Sequence, residues 1–306
     1  MGRKVRSKSA VQVISELDRL LECGWKGNVF FVDDNFIGNR HKLKNELLPE
    51  MIRWMRSHHY PFIFITEATI NLADDPELMR LMVQAGFSRV FVGIETPDEK
   101  SLAECNKNQN RNRDLVSCVK TIQGSGIEVS GGFIVGFDSD QPDIFKRHVD
   151  FIQKSGIITA MVGLLNAPRR SRLYRRLEKE GRLLHSFSGD NTDYSINFIP
   201  AMNRERLLEG YQEIVHGIYS CRPYYARIRT FLKHYDPAFK TQTRVTWSRF
   251  IAFLKSILII GILNRNRSYY WKLVFWSIFN KPEVLPLAVT YSIFGYHFRK
   301  VYRVRD

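Results

Sequence analysis

Short apolar runs in this chain are each followed by a polar cluster capable of chemistry. Residues 28–32 (NVFFV) precede Asp33-Asp34-Asn35, residues 62–65 precede Thr66-Glu67, and residues 90–94 precede Glu95-Thr96. The run Gly131-Gly132-Phe133-Ile134-Val135-Gly136-Phe137 leads to Asp138, and residues 158–164 lead to Asn166-Ala167-Pro168. A single acidic residue after such a run is more often a helix cap or turn former, and Asp74 and Asp98 are read that way. Four runs in succession ending in carboxylates ask for more, because clustered carboxylates repel and persist where a ligand or cation offsets the cost. Carboxylates accept hydrogen bonds from ammonium and hydroxyl groups, and glycines let a flat ligand approach the backbone. Three ligands fit that chemistry: a cationic amino-acid nucleotide, a divalent metal, or a sugar between two carboxylates as in a glycosidase. No histidine joins the cluster. His58, His59, His148 and His185 fall on helical stretches or their ends and read as surface or structural residues.

The elements that must position these clusters follow from hydrophobic periodicity. Residues 9–23 put Ala10, Val13, Ile14, Leu17, Leu20 and Leu21 on one helical face ahead of the strand at 28–32. Helices over 43–58, 76–84, 113–124 and 142–154 then alternate with strands over 62–65, 90–94, 129–135 and 158–164. Strands with almost no polar positions predict burial on both faces, as in parallel sheets covered by helices. Five of them predict a (β/α) barrel, whole or partial, whose chemistry sits at the C-terminal strand ends.

Charge divides the chain. From Arg222 onward 16 Lys/Arg face only Asp236, Glu283 and Asp306, so this part carries +13 of the +15 total and the first 221 residues carry +2. Cys23, Cys105, Cys118 and Cys221 lie 82, 13 and 103 positions apart, which matches no clustered zinc or iron-sulfur spacing. The basic start MGRKVRSKS runs into an amphipathic helix with no apolar signal core, so a cytoplasmic setting is the expectation.

Particular residues carry a family resemblance. FFVDDNFIGN (30–39), TEATINLADDPELMRLMVQAGF (66–87), VFVGIETPDEKSL (90–102), KNQNRNRDL (107–115) and GGFIVGFD (131–138) resemble the radical S-adenosylmethionine (SAM) barrel of cobalamin-binding radical SAM proteins. Residues 197–225 and 295–301 resemble the C-terminal domain of a subgroup that includes hopanoid methylases. The resemblance implies an α/β fold: a partial radical SAM barrel lacking its first strand over 1–185, then a basic, mainly helical region over 186–306. It implies SAM across the strand ends. Asp33, Asp34 and Asn35 match the position that holds the methionine amino group, Glu67 and Glu95 match polar positions facing the ribose and carboxylate, and Gly132, Ile134 and Gly136 match the strand that packs on adenine. In the family a CxxxCxxC motif holding a 4Fe-4S cluster, and before it a cobalamin-binding domain, precede the position of Met1, and neither stands in these 306 residues. Where the family has a Pro-Gly-Thr type turn, this chain has Pro168-Arg169-Arg170-Ser171.

The functional expectation is a SAM- and cobalamin-dependent methyltransferase, or a related radical enzyme, whose complete form acts on an apolar or lipid-like substrate. The alternative is a non-catalytic chain that binds SAM or a membrane surface, because the cluster motif is absent. A barrel hydrolase using Asp34 with Glu67 or Glu95 is a third reading. The apolar stretches 249–263, 269–279 and 285–296 are each shorter than the ~20 residues a spanning helix needs. Packing on the barrel explains them, while Trp247, Trp271 and Trp276 among Arg265, Arg267, Lys272 and Lys281 would also suit peripheral contact with a membrane. Nucleic acid is not expected, since no recognised binding module accompanies the basic region.

Overall fold

The computed structural model describes residues 7–184, 195–237 and 247–304. The boundary expected at 185/186, and His185 with it, lie outside the described residues. Strands β1 (Gly27–Phe31), β2 (Phe62–Glu67), β3 (Phe87–Glu95), β4 (Glu128–Val135) and β5 (Ala160–Leu164) form one all-parallel sheet in the order β1-β2-β3-β4-β5. The connections carry helices α1 (Ala10–Glu22), α2 (Arg40–Lys42), α3 (Leu48–Ser57), α4 (Pro76–Ala85), α5 (Glu99–Glu104), α6 (Leu115–Gly124) and α7 (Ile144–Ser155). The sheet is a half-barrel.

Local sequence sets the helix ends. Ser9 and Gln12 form a reciprocal capping box at α1, and Asp75, Asp98 and Asp114 cap α4, α5 and α6 by accepting from backbone N–H groups. The cap of α4 is therefore Asp75. Asp74 instead makes a two-bond pair with Arg113, both bonds at 2.7 Å. Pro49 lies just after a π-helical turn, Leu43–Leu47, where the wider turn accommodates a residue with no N–H to donate.

Only one face of the sheet is closed. Phe62, Phe64, Val90, Val92, Ile94, Val129, Val135, Val162 and Leu164 are buried beneath the helices, and Phe31, Phe36, Phe64 and Phe87 interlock there at centroid separations of 4.9–5.7 Å. The expectation of burial on both faces is corrected on the other side. Phe30 is 47% exposed and Met161 53% exposed, and Ile63, Ile65, Phe91 and Ile134 are half-buried. Five strands cover only part of a barrel circumference, so no side chains from opposite strands fill the concave face.

After α8 (Arg172–Lys179), helices α9 (Arg204–Tyr219), α10 (Cys221–His234), α11 (Trp247–Ser256), α12 (Arg267–Asn280) and α13 (Leu285–Val301) form the C-terminal region. Its hold on the half-barrel is centred on Arg227, a fully buried cation facing no carboxylate among the described residues. The guanidinium donates to the Ile218 carbonyl near the end of α9 at 2.7 Å, reaches the Ile158 carbonyl and Gln153 more distantly, and lies over the Tyr219 and Tyr224 rings. Tyr219 donates to the Ala160 carbonyl of β5 at 2.8 Å. Also towards the N-terminal ends of the strands, Arg89 and Glu128 pair at 2.8 Å.

His148 on α7 is fully buried with both ring nitrogens unpartnered, edge-on to Phe133. Burial, with Arg147 adding to it, pushes its pKa down from 6.5 to about 3. Between those values the unfolded chain takes up a proton that the folded chain refuses, so this group costs stability as pH falls through that window and is neutral above it. From about pH 7.5 to about pH 5 the native chain should lose about 2 kcal/mol more stability than His148→Leu, read from urea unfolding at both values. An equal loss in the two proteins would contradict the assignment.

Candidate functional site

Parallel strands deliver their C-terminal ends to one rim, where the polar clusters meet. The register Phe31↔Thr66, Glu67↔Phe91, Phe91↔Ser130 and Gly93↔Gly132 sets Glu67 beside Phe91 on the concave face, and the Phe91 ring reaches diagonally over Gly132. A Cβ at Gly132 would stand 2.8 Å from the Phe91 ring, so the glycine provides the space that the aromatic ring occupies. Ile134 shares this face, and Gly136 lies past the end of β4 with φ 107°, a conformation that favours glycine.

Most of the polar rim is already engaged. The Asn35 side-chain oxygen accepts from the Thr69 backbone N–H at 3.2 Å, tying the loop after β1 to the loop after β2. Lys107 Nζ donates to Glu95 Oε1 at 2.6 Å, and Glu95 itself sits at φ 66°, beside an irregularity in the β3–β4 pairing. A Cβ at Gly93 would stand 2.5 Å from the Glu95 carboxylate and 2.7 Å from Lys107 Nζ, so the ion pair lies over the glycine and would have to shift for a larger residue. Asp138 pairs with Arg182 at 2.7 Å and Arg176 at 3.0 Å, and the Arg182 guanidinium holds its carboxyl below the ordinary carboxylate range. Asn166 and Ala167 are joined to Ser195 and Asn197 through four hydrogen bonds of 2.9–3.1 Å.

Three carboxylates at the rim remain without a side-chain partner among the described residues: exposed Asp33 and Asp34, and half-buried Glu67. The site residues anticipated from sequence thus divide. Glu67, Glu95, Gly132 and Ile134 share the concave face, Asp33, Asp34 and Asn35 occupy the adjoining loop, and Gly136 supports the turn after β4.

Residues that sequence reasoning passed over hold this arrangement. Lys107 neutralises Glu95, and buried Asn110 donates to the Gly93 and Ile94 carbonyls at 3.1 and 3.0 Å, fixing the end of β3. Both stand in the KNQNRN run, whose density of amides was the available signal. Asp140, two residues beyond Asp138, accepts from the Gly136 and Phe137 N–H groups and from Ser101, and burial raises its pKa. Beside the rim a cavity of about 490 Å³ is lined by Phe137, Leu165 and Leu173 together with Cys105, Arg172 and Arg176. The turn after β5 is made with Arg170 at φ 69°, a left-handed position.

The donor set suits a cationic nucleotide: unpaired carboxylates for an ammonium or sulfonium, with Phe91 and Ile134 as an apolar platform. It does not suit an iron-sulfur cluster. Cys221 is buried, Cys105 and Cys118 are half-buried and Cys23 is exposed, and among the described residues no three His, Cys, Asp or Glu side chains could hold a metal ion.

This half-barrel with its polar rim is a radical SAM fold. Residues 1–152 match the radical SAM superfamily, and residues 171–305 match a domain of unknown function, DUF4070. The chain belongs to the radical SAM superfamily and carries that domain behind the barrel. It is 38% identical over 303 residues to an uncharacterized methyltransferase of Synechocystis sp., covering 97% of this chain and 56% of that protein. It is 42% identical over 198 residues to the hopanoid C-2 methylase of Rhodopseudomonas palustris, covering 65% of this chain and 37% of the methylase. Among solved structures, the radical S-adenosylmethionine methyltransferase TsrM from Kitasatospora setae, with cobalamin and a 4Fe-4S cluster bound, shares the fold with a TM-score of 0.53 at 15% identity, covering 95% of this chain and 56% of that one. The chain spans about half the length of the Synechocystis relative and less of the methylase.

The division between engaged and free carboxylates is testable by stability. Asp140→Ala leaves three donors without their acceptor and should cost about 1–3 kcal/mol in chemical unfolding. Asp34→Ala removes no side-chain bond among the described residues and should stay within about 0.5 kcal/mol of the native chain. Equal losses would show that Asp34 has a structural partner.

Proposed function

We propose that the rim binds S-adenosylmethionine and that this chain is the SAM-holding part of a methyltransferase acting on an apolar, lipid-like substrate. The observation that carries the reading is the set of free carboxylates, Asp33, Asp34 and Glu67, on a rim where the other acidic groups are paired. A bound SAM supplies a methyl group on a sulfonium centre. Asp33 and Asp34 accept from its ammonium group, Glu67 accepts from ribose hydroxyls, and Phe91 with Ile134 shields the adenine from water. The Glu95–Lys107 pair keeps the end of β3 in place, and through Lys107 it offers a cation to the methionine carboxylate. The names of the relatives support methyl transfer, and a hopanoid is a lipid. The apolar wall of Phe137, Leu165 and Leu173 beside the rim supports a substrate of that kind.

In this reading the 4Fe-4S cluster and cobalamin are held by other parts of the complete protein. The scattered thiols favour a second reading, in which this chain by itself binds SAM without turning it over.

Isothermal titration of the purified chain with SAM tests the site. The native chain should bind, Glu67→Gln and Asp34→Asn should each weaken binding about tenfold through loss of a charge-assisted hydrogen bond, and Glu16→Gln on α1 should bind as the native chain does. Absence of binding, or binding indifferent to both rim substitutions, would refute the assignment.

A further inference from the structure

The C-terminal helices carry an apolar surface that no other described residues cover. α11 continues without a break into a π-helical segment, Ile257–Leu263, and along residues 247–263 only Ser256, Ile260 and Gly261 are buried. Trp247, Leu258, Ile262 and Leu263 are 52–75% exposed, and Phe279 on α12 is 81% exposed. A helix apolar on nearly all sides is ordinarily enclosed by protein or lipid. This one is about 25 Å long, and no helix among the described residues is long and apolar enough to cross a membrane.

The surface is built rather than loose. Trp271 of α12 donates its indole N–H to the Gly261 carbonyl at 2.8 Å, and the Ser256 and Tyr270 hydroxyls meet at 3.0 Å. A Cβ at Gly261 would stand 3.2 Å from both aromatic rings, so the two helices approach closely at that point. The pair presents its apolar row in a fixed orientation.

Charge identifies the occupant. From residue 237 to residue 282 there are eight Lys/Arg and no Asp or Glu. Lys255, Arg265, Arg267 and Lys272 are exposed around the apolar row, and none makes a salt bridge among the described residues. A second copy of the chain would set these cations against their like, and protein interfaces are depleted in lysine. Tryptophan beside basic residues on a short exposed apolar helix fits the headgroup region of an anionic bilayer.

We propose that α11, the π-helical segment and the start of α12 dock the protein on an anionic lipid surface, with residues 247–263 lying in the headgroup plane and Lys255, Arg265, Arg267 and Lys272 on lipid phosphates. The docking requires no SAM, so it stands or falls separately from the rim assignment.

Vesicle flotation with the full chain tests it, comparing equal mixtures of phosphatidylcholine and phosphatidylglycerol with phosphatidylcholine alone. The native chain should float with the anionic vesicles, and high salt should weaken that binding. Leu258→Asp combined with Ile262→Asp should reduce the bound fraction about tenfold with an unchanged far-ultraviolet circular dichroism spectrum, since both positions are exposed. Arg265→Glu with Arg267→Glu should reduce it while leaving the apolar row intact. Failure of the native chain to float, equal flotation with neutral vesicles, or binding unaffected by both double substitutions would overturn the proposal. So would a dimer in analytical ultracentrifugation that the aspartate substitutions disperse, which would assign the surface to a second copy.

Discussion

All five strands run in the same direction, and the rest of the molecule follows from that constraint. Parallel strands need crossovers, the crossovers here are helices, and the helices cover one face of the sheet while every strand end arrives at one rim. Acidic residues distant in sequence are thereby brought to a common edge. Such an edge is unstable if every carboxylate is left alone, and the structure resolves this by pairing Glu95 with Lys107 and Asp138 with Arg182 and Arg176. What remains unpaired is where a cationic ligand gains most.

The two ends of the sheet serve different purposes. At the rim, Gly93 and Gly132 give up side chains so that an ion pair and an aromatic ring can occupy the concave surface. Around the helices covering the other face, contacts fix the C-terminal region: a guanidinium buried against helix-end carbonyls and tyrosine rings, and close approaches such as Gly210 against Phe145 and Gly295 against Tyr224. A buried cation is costly unless its donors are met, and here Ile218, Ile158 and Gln153 take up the terminal nitrogens of Arg227 while its Nε is left without a partner among the described residues. The helical region is therefore anchored to the barrel while its outer helices, α11 and α12, stay free to meet something else.

Much of this was legible in the sequence. Short apolar runs located all five strands and the period-3.6 pattern located α1, α3, α4, α6 and α7, while the short α2 and α5 bury too little to leave such a pattern. The polar mouths were legible too, since they interrupt the apolar runs abruptly. Exposure of the concave face was not, because whether Phe30 or Met161 is covered depends on what stands opposite in the barrel and not on its own neighbours. Nor were the pairings: Glu95 meets Lys107 twelve positions away and Asp138 meets Arg182 forty-four away, distances at which sequence adjacency carries no information. The capping role of Asp75, in place of Asp74, turned on a single residue of register.

The central claim is that the free carboxylates mark the SAM site. A crystal structure of this chain grown with SAM tests it most directly. The expected result is the methionine ammonium within hydrogen-bond reach of Asp33 or Asp34 and the nucleoside on the concave face against Glu67 and Phe91. Density for SAM elsewhere on the molecule, with those carboxylates facing only water, would contradict it.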